Sequence, residues 1–413
     1  MRPLSLTFLG TCSGGGPIYT RNCTSTALNF ARKSWLIDCA EATQHQMLRV
    51  KVPKPWTIDR IFITHMHVDH VFGIVPLMST VMSPFTHKGP PDAIRLQIYG
   101  PAGLRSFLRH NLKTTSLFLG GKYQTHELLA SGDPRTSCDG ADLHENEAPG
   151  EDIFVSADGT WPAFASTKEA KISAGPLQHR IPSLGYVFEE PTHPVISPEW
   201  IEYLDSLPPE QLPEGMTSGR QFVSRFLART GDLLLLADGT PLPLPTAQRR
   251  GRKVVVLGDT SDASGIAELA QNADVLVHEA TSAPVSLSPG RVGKEENEVA
   301  ETARSRGHST PRMAGEFARK VGARRLVLNH FSSMYPGSFL GRAPWPPSPD
   351  SVMEQIRMQA ATAFGSPNVV TADDGLELDV PFHPSAFVGD SGQSTSERST
   401  EILGDALLAD LGR

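Results

Sequence analysis

The chain has 413 residues, is 39% hydrophobic and 20% charged, and carries a net charge of -7 with a pI near 6.1. This is ordinary for a folded enzyme and excludes a broadly basic protein that coats nucleic acid, while leaving a local basic patch open. Cys12, Cys23, Cys39 and Cys138 form no C-x-x-C pair, no signal peptide precedes LSLTFLG, and no apolar run reaches the roughly 18 residues of a membrane span, so a soluble intracellular protein with reduced thiols is expected.

In chain order, the sequence predicts a strand over 4–10 ending in the glycine-rich TCSGGGP, a strand pair over 24–31 and 34–39, and a helix over 41–50. A strand over 60–66 leads into a helix over 71–82, then a strand over 94–101 and a helix over 103–115. Residues 131–175, with acids from Asp133 to Asp158, read as a loop-rich insertion with little to bury, and the proline-rich residues 190–250 as a second excursion. Alternation resumes with a strand and turn over 253–260, a helix over 265–273 and a strand over 274–281. A helix over 309–322, capped by Ser309 or Thr310 with Pro311 near its start, and a strand over 324–331 follow. Alternating strands and helices argue an α/β class. Motifs at both ends build one site, so residues 1–385 are expected to form one domain, and 386–413 a disordered tail.

Polar residues gather where the strands end. His65, His67, Asp69 and His70 lie within six positions of one another in FITHMHVDHVFGI, Asp259 follows KVVVLG, and His330 follows RRLVLN. His179 and His308 lie in loops, and strand ends are where open α/β sheets hold ligands. Side chains two apart on an extended segment face the same way, so His65 and His67 can chelate one metal while a turn at Val68 swings Asp69 and His70 toward a second. Imidazoles and carboxylates suit zinc.

THMHVDH resembles the H-x-H-x-D-H signature of the metallo-β-lactamase superfamily. FLGTCSGGGPIYTRN, WLIDCAEATQHQMLR, HRIPSLGY, GRKVVVLGDTS, ADVLVHEAT, GHSTPRMAGEFARK and RRLVLNHFSSMY resemble, in order, the motifs of the tRNase Z family in its short form, from about residue 6 to 335. The resemblance implies an αβ/βα sandwich with an inserted tRNA-binding arm at 190–250 and two zincs per subunit, manganese staying open. By motif position, His65, His67 and His179 would hold one zinc, Asp69, His70 and His330 the other, and Asp259 would bridge. Asp69 would also orient water, His308 would donate a proton, Glu279 would orient His308, and Arg21, Asn22 and Thr310 would touch substrate. The implied reaction removes the 3′ trailer of precursor tRNA, leaving a tRNA 3′-hydroxyl and a trailer 5′-phosphate, in a homodimer; the sequence carries no clear address, and cytoplasm and nucleus both fit.

Four features depart from the family pattern. Tyr19 stands where the P-x-K-x-R-N loop has lysine, AEAT (40–43) stands for G-E-G-T, and Met334 stands for an arginine in HFS-x-R-Y. The arm interval lacks the usual lysine-rich form, leaving Arg220, Arg225, Arg229, Arg249 and Arg250 as candidate phosphate contacts. Two other readings remain: a metallo-hydrolase of small phosphodiesters or esters, and a non-catalytic RNA-binding protein with a decayed site.

Overall fold

The computed structural model describes residues 3–14, 16–50, 52–85, 89–194, 248–286, 294–335 and 352–382, with short pieces at 202–203, 205–212, 236, 238–240, 337 and 387–388. The chain divides into two compact units, Met1–Glu189 with Arg252–Pro381, and Glu190–Gly251 with Phe382–Arg413. In the second unit His193–Pro194, Gln248–Arg249 and Phe387–Val388 pair antiparallel. Most of the arm interval, including Arg220, Arg225 and Arg229, and nearly all of the tail lie outside the described residues.

The first unit is built on two sheets. One runs Glu377–Asp379, Leu4–Gly10, Ser25–Phe30, Ser34–Ile37, Ile58–Phe62, Ile94–Pro101, Lys122–Leu129 and Glu147–Ala148 in spatial order, with Asp152–Phe154 also pairing to Lys122–Leu129. The other runs Val369–Thr371, Leu326–Asn329, Val275–Glu279, Lys253–Leu257, Ser183–Glu189, Lys171–Leu177 and Trp161–Ser166. Leu6, Phe8, Trp35 and Phe62 of the first sheet pack face to face with Ile172, Tyr186, Phe188 and Val254 of the second, excluding water between them. The outer face of the first sheet is covered by helices Thr43–Val50, Ile74–Val81 and Leu104–Thr114, and that of the second by Pro311–Lys320 and Val352–Phe364. This is the expected helix–sheet–sheet–helix layering. Among the described residues no helix is long and apolar enough to cross a membrane.

Two sequence expectations fail. Residues 131–175 are not an unburied insertion: they contribute Glu147–Ala148, Asp152–Phe154, Trp161–Ser166 and most of the buried strand Lys171–Leu177. Two of their acids, Glu147 and Asp152, are counterions. Glu147 grips buried Arg109 through two 2.8 Å bonds, and Asp152 joins Glu127 on buried Arg105. A buried arginine needs such partners, and the acids that look solvated in sequence supply them. Residues 265–273 form only a tight 3₁₀ turn at Ser264–Ile266, because the next strand begins at Val275 and Asn272 already turns the chain with φ 56°. The helix Pro311–Lys320 is as expected, and of its two candidate caps Thr310 serves, accepting from the Met313 N–H.

Ala42, at the second glycine position of the G-E-G-T pattern, keeps a left-handed φ of 61° just before the helix Thr43–Val50. A Cβ is unfavourable there, so Ala42→Gly is expected to stabilise the fold by about 1 kcal/mol, whereas Ala40→Gly, without that backbone strain, should not. Urea midpoints of the two variants check this.

His126 is buried, stacks on Tyr99 at 4.6 Å, and has no hydrogen-bond partner for either ring nitrogen among the described residues. Burial first, then the charges of Arg105 and Arg60, push its pKa down to about 4. The unfolded chain takes up this proton near pH 6.5, so the stability is full above pH 6.5 and drains away as pH falls toward 4. His126→Phe, which keeps the ring stack, is expected to remove about 2–3 kcal/mol of the stability lost between pH 7 and pH 4.5. Denaturant midpoints at those two pH values decide it; equal acid sensitivity of variant and wild type would refute it.

Candidate metal centre

The residues picked out at strand ends meet at one edge of the sandwich. His65 and His67 follow Ile58–Phe62, and Asp69 and His70 ride on the short helix Val68–Val71. Asp259 follows Lys253–Leu257, His330 follows Leu326–Asn329, and His179 sits between Lys171–Leu177 and Ser183–Glu189. Two close approaches demand glycine. A Cβ on Gly258 would lie 2.6 Å from the Thr64 Cβ, and one on Gly307 would lie 2.5 Å from His179 Nδ1. His330 itself has φ 56°, a strained conformation that aims its ring inward.

Two groups of donor atoms share no residue, His65, His67, His179 with Asp259, and Asp69, His70 with His330, and a third, Asp259, His308 and His330, overlaps both. His65 Nε2 is 3.0 Å and His179 Nε2 3.2 Å from His67 Nδ1, while His70 Nε2 and His330 Nε2 are 3.1 Å apart. Asp259 faces both groups. Its Oδ1 is 3.2 Å from His330 Nε2 and 3.4 Å from His70 Nε2, and its Oδ2 is 3.7 Å from His65 Nε2 and 4.0 Å from His179 Nε2. One carboxylate oxygen for each group is what a bridging ligand offers.

The surrounding hydrogen bonds fix the tautomers. His70 Nδ1 donates to Asp38 at 2.7 Å and His179 Nδ1 to the Gly307 carbonyl at 2.6 Å. The Thr64 hydroxyl donates to Asp38 and accepts from His65 Nδ1, and the Thr281 hydroxyl donates to Glu279 and accepts from His330 Nδ1. Each of these four rings therefore turns a bare Nε2 lone pair inward. His70 and His330 then confront each other across 3.1 Å with no proton between them unless one ring is charged. Burial alone would lower the His70 pKa, yet Asp259 and Asp38 raise it far above the usual value. The site demands positive charge between these rings, and the donor set of imidazole nitrogens and carboxylate oxygens fits divalent cations.

His308 borders the cluster. Its Nδ1 is 3.1 Å from Glu279 Oε1 and 3.7 Å from Asp259 Oδ2, and Glu279 is itself held by the Thr260 N–H at 2.7 Å and by the Thr281 hydroxyl. Burial works to lower the His308 pKa, but the Glu279 bond and charge, with Asp259, outweigh it and raise it. On the other side the Gly14 N–H donates to Asp69 Oδ2 at 2.7 Å. A cavity of about 280 Å³ opens over His67, Asp69, Asp259 and His308, lined also by Met66 and Arg180.

Three residues expected to touch substrate are buried and are not among those lining the cavity. Arg21 is 2% exposed, with its guanidinium bound to the Thr11 hydroxyl, the Ala372 carbonyl and Asp373. Asn22 spends its amide on the Glu41 carbonyl, and Thr310 caps its helix from a buried position. All three brace the fold. Residues that sequence reasoning missed are Asp38, Thr64 and Thr281, which orient the imidazoles; only Asp38, at a strand end in WLIDC, carried a visible signal.

The family profile described as anti-Pycsar protein Apyc1 matches residues 4–125. The chain is 31% identical over 384 residues to the ribonuclease Z of Lactiplantibacillus plantarum, covering 92% of this chain and 99% of that protein. It is 33% identical over 339 residues to the ribonuclease BN of Proteus mirabilis, covering 80% and 90%. It is 31% identical over 395 residues to the zinc phosphodiesterase ELAC protein 1 of Mus musculus, covering 92% and 99%. Among solved structures it is similar to the human short-form tRNase Z, with a TM-score of 0.56 and 25% identity over 92% of this chain and all of that one. The fold is shared with the metallo-β-lactamase fold protein YhfI of Bacillus subtilis at a TM-score of 0.50 and 16% identity, covering 92% of this chain and all of that one. With this fold and this His- and Asp-rich metal site, the chain belongs to the ribonuclease Z family of metal-dependent hydrolases.

Proposed function

We propose that the chain is an endoribonuclease that removes the 3′ trailer from precursor tRNA, acting as a homodimer with two zincs per subunit. The observation that carries this is His308, held by Glu279 beside the bridging carboxylate. A ribose 3′-oxygen is a poor leaving group and needs a positioned acid, which an activated small ester does not. Three names support the reading: a ribonuclease Z, a zinc phosphodiesterase and a short-form tRNase Z are among the similar proteins. The cavity, about 280 Å³ and lined by His67, Asp69, Asp259 and His308, has room for a phosphodiester linkage.

In this reading His65, His67 and His179 hold one cation, Asp69, His70 and His330 the other, and Asp259 spans them. When bound, such a pair supplies Lewis acidity toward water and phosphate. Asp69, steadied by the Gly14 N–H, accepts the proton of the attacking water. His308 keeps Nδ1–H on Glu279 and delivers the proton on Nε2 to the leaving 3′-oxygen. The test is incubation of purified, zinc-loaded protein with a 3′-extended precursor tRNA and mapping of the ends. Cleavage just after the discriminator base with a 3′-hydroxyl is expected. No tRNA cleavage by protein that hydrolyses bis(p-nitrophenyl) phosphate would favour a small-phosphodiester hydrolase instead.

A further inference from the structure

Arg180 follows His179 in the loop between Lys171–Leu177 and Ser183–Glu189, and it lines the cavity with His67, Asp69, Asp259 and His308. It is the one Lys or Arg among the cavity-lining residues, and it is exposed. The arginines Arg21, Arg105 and Arg109 are buried, each bound by carboxylates and carbonyls. Arg180, by contrast, has no ion pair or side-chain hydrogen bond among the described residues, so its five donors are left unspent beside the cavity. Its charge reaches both His67 and His308, acting against protonation of each. The cavity also carries Asp69 and Asp259, so an anionic strand entering it meets repulsion that a guanidinium at the rim offsets.

Which phosphate it meets follows from its neighbour. His308 protonates the 3′-oxygen that departs with the upstream nucleotide, so the His308 side of the cavity is the upstream side of the strand. Arg180 borders that side: its backbone nitrogen lies 3.1 Å from where a Cβ on Gly307 would stand, one residue before His308. We propose that Arg180 binds the phosphate one linkage 5′ of the scissile one, so that the site takes a polynucleotide strand in preference to an isolated phosphodiester. This rests on the precursor-RNA reading above.

The test is a double cycle. Wild type and Arg180→Ala are assayed on a 3′-extended precursor RNA that is fully anionic, or carries one neutral methylphosphonate at the linkage 5′ of the scissile one, or one at the first linkage 3′ of it. Loss of a charge-assisted phosphate contact is expected to lower kcat/KM about 10- to 100-fold. Neutralising the upstream linkage in wild type, or removing Arg180 on anionic RNA, should each give that loss, and the two together little more than either alone. Neutralising the downstream linkage should cost the same in both proteins. The slope of log binding constant against log salt for a cleavage-blocked RNA should also shrink by about one in the variant. Multiplicative losses at the upstream linkage would overturn the proposal. That is also the pattern if Arg180→Ala merely disturbs His179, since such a loss does not depend on which linkage is neutral. Failure of wild type to cut the anionic RNA would instead defeat the parent reading.

Discussion

Asp259→Asn is expected to lose at least a thousandfold in kcat/KM and, on the proposed reading of two cations per chain, to bind one metal or fewer. The carboxylate is 3% exposed and each of its oxygens faces a different imidazole group, Oδ1 toward His70 and His330 and Oδ2 toward His65 and His179. Asparagine keeps the shape but removes the charge, and it must turn an N–H₂ donor set toward one of the two groups. That end then repels the cation it should hold. Asp69→Asn is the comparison, because Asp69 belongs to only one group and should cost one metal. Metal analysis by mass spectrometry on freshly purified protein separates the two variants. Two metals retained in Asp259→Asn would refute the bridging role.

The cluster of donor residues was legible in sequence because chemistry and geometry coincide there: His65, His67, Asp69 and His70 lie within six positions, and an apolar strand leads into them. Their supports were not legible. Asp38 holds His70 from 32 positions away, and Thr281 holds His330 from 49. A threonine or aspartate at such distances has no local pattern to announce it. Arg21 shows the opposite failure. It sits in a motif that suggests substrate, but its guanidinium is fixed by Ala372 and Asp373, about 350 residues on, and only the folded sheet brings them together. The 131–175 segment differs from its sequence reading for the same reason, since Arg105 and Arg109 draw Asp152 and Glu147 in as partners while most of its other acids stay exposed. What sequence periodicity reports is which face is apolar. It does not report which charge across the fold answers a buried one.

His308→Ala is expected to lower kcat on precursor tRNA by about 10²–10⁴-fold, or roughly 3–5 kcal/mol of transition-state stabilisation, with little change in KM. The imidazole is only partly exposed, its Nδ1 is committed to Glu279, and Nε2 alone is left for the cavity. A proton delivered there matters in proportion to the basicity of the oxygen that leaves. A ribose 3′-alkoxide is strongly basic and cannot depart unprotonated, whereas p-nitrophenolate can. The same variant should therefore lose much less on bis(p-nitrophenyl) phosphate than on RNA, and equal losses on both would mean that His308 shapes the site and does not donate the proton. Glu279→Gln tests the partner. Against burial, the Glu279 bond and charge hold the His308 pKa up, so removing that charge lowers it and fewer molecules carry the proton as pH rises. The alkaline limb of the RNA-cleavage profile should move to lower pH in Glu279→Gln and be unmoved for p-nitrophenyl substrates, because only the reaction that needs the acid can sense its ionisation.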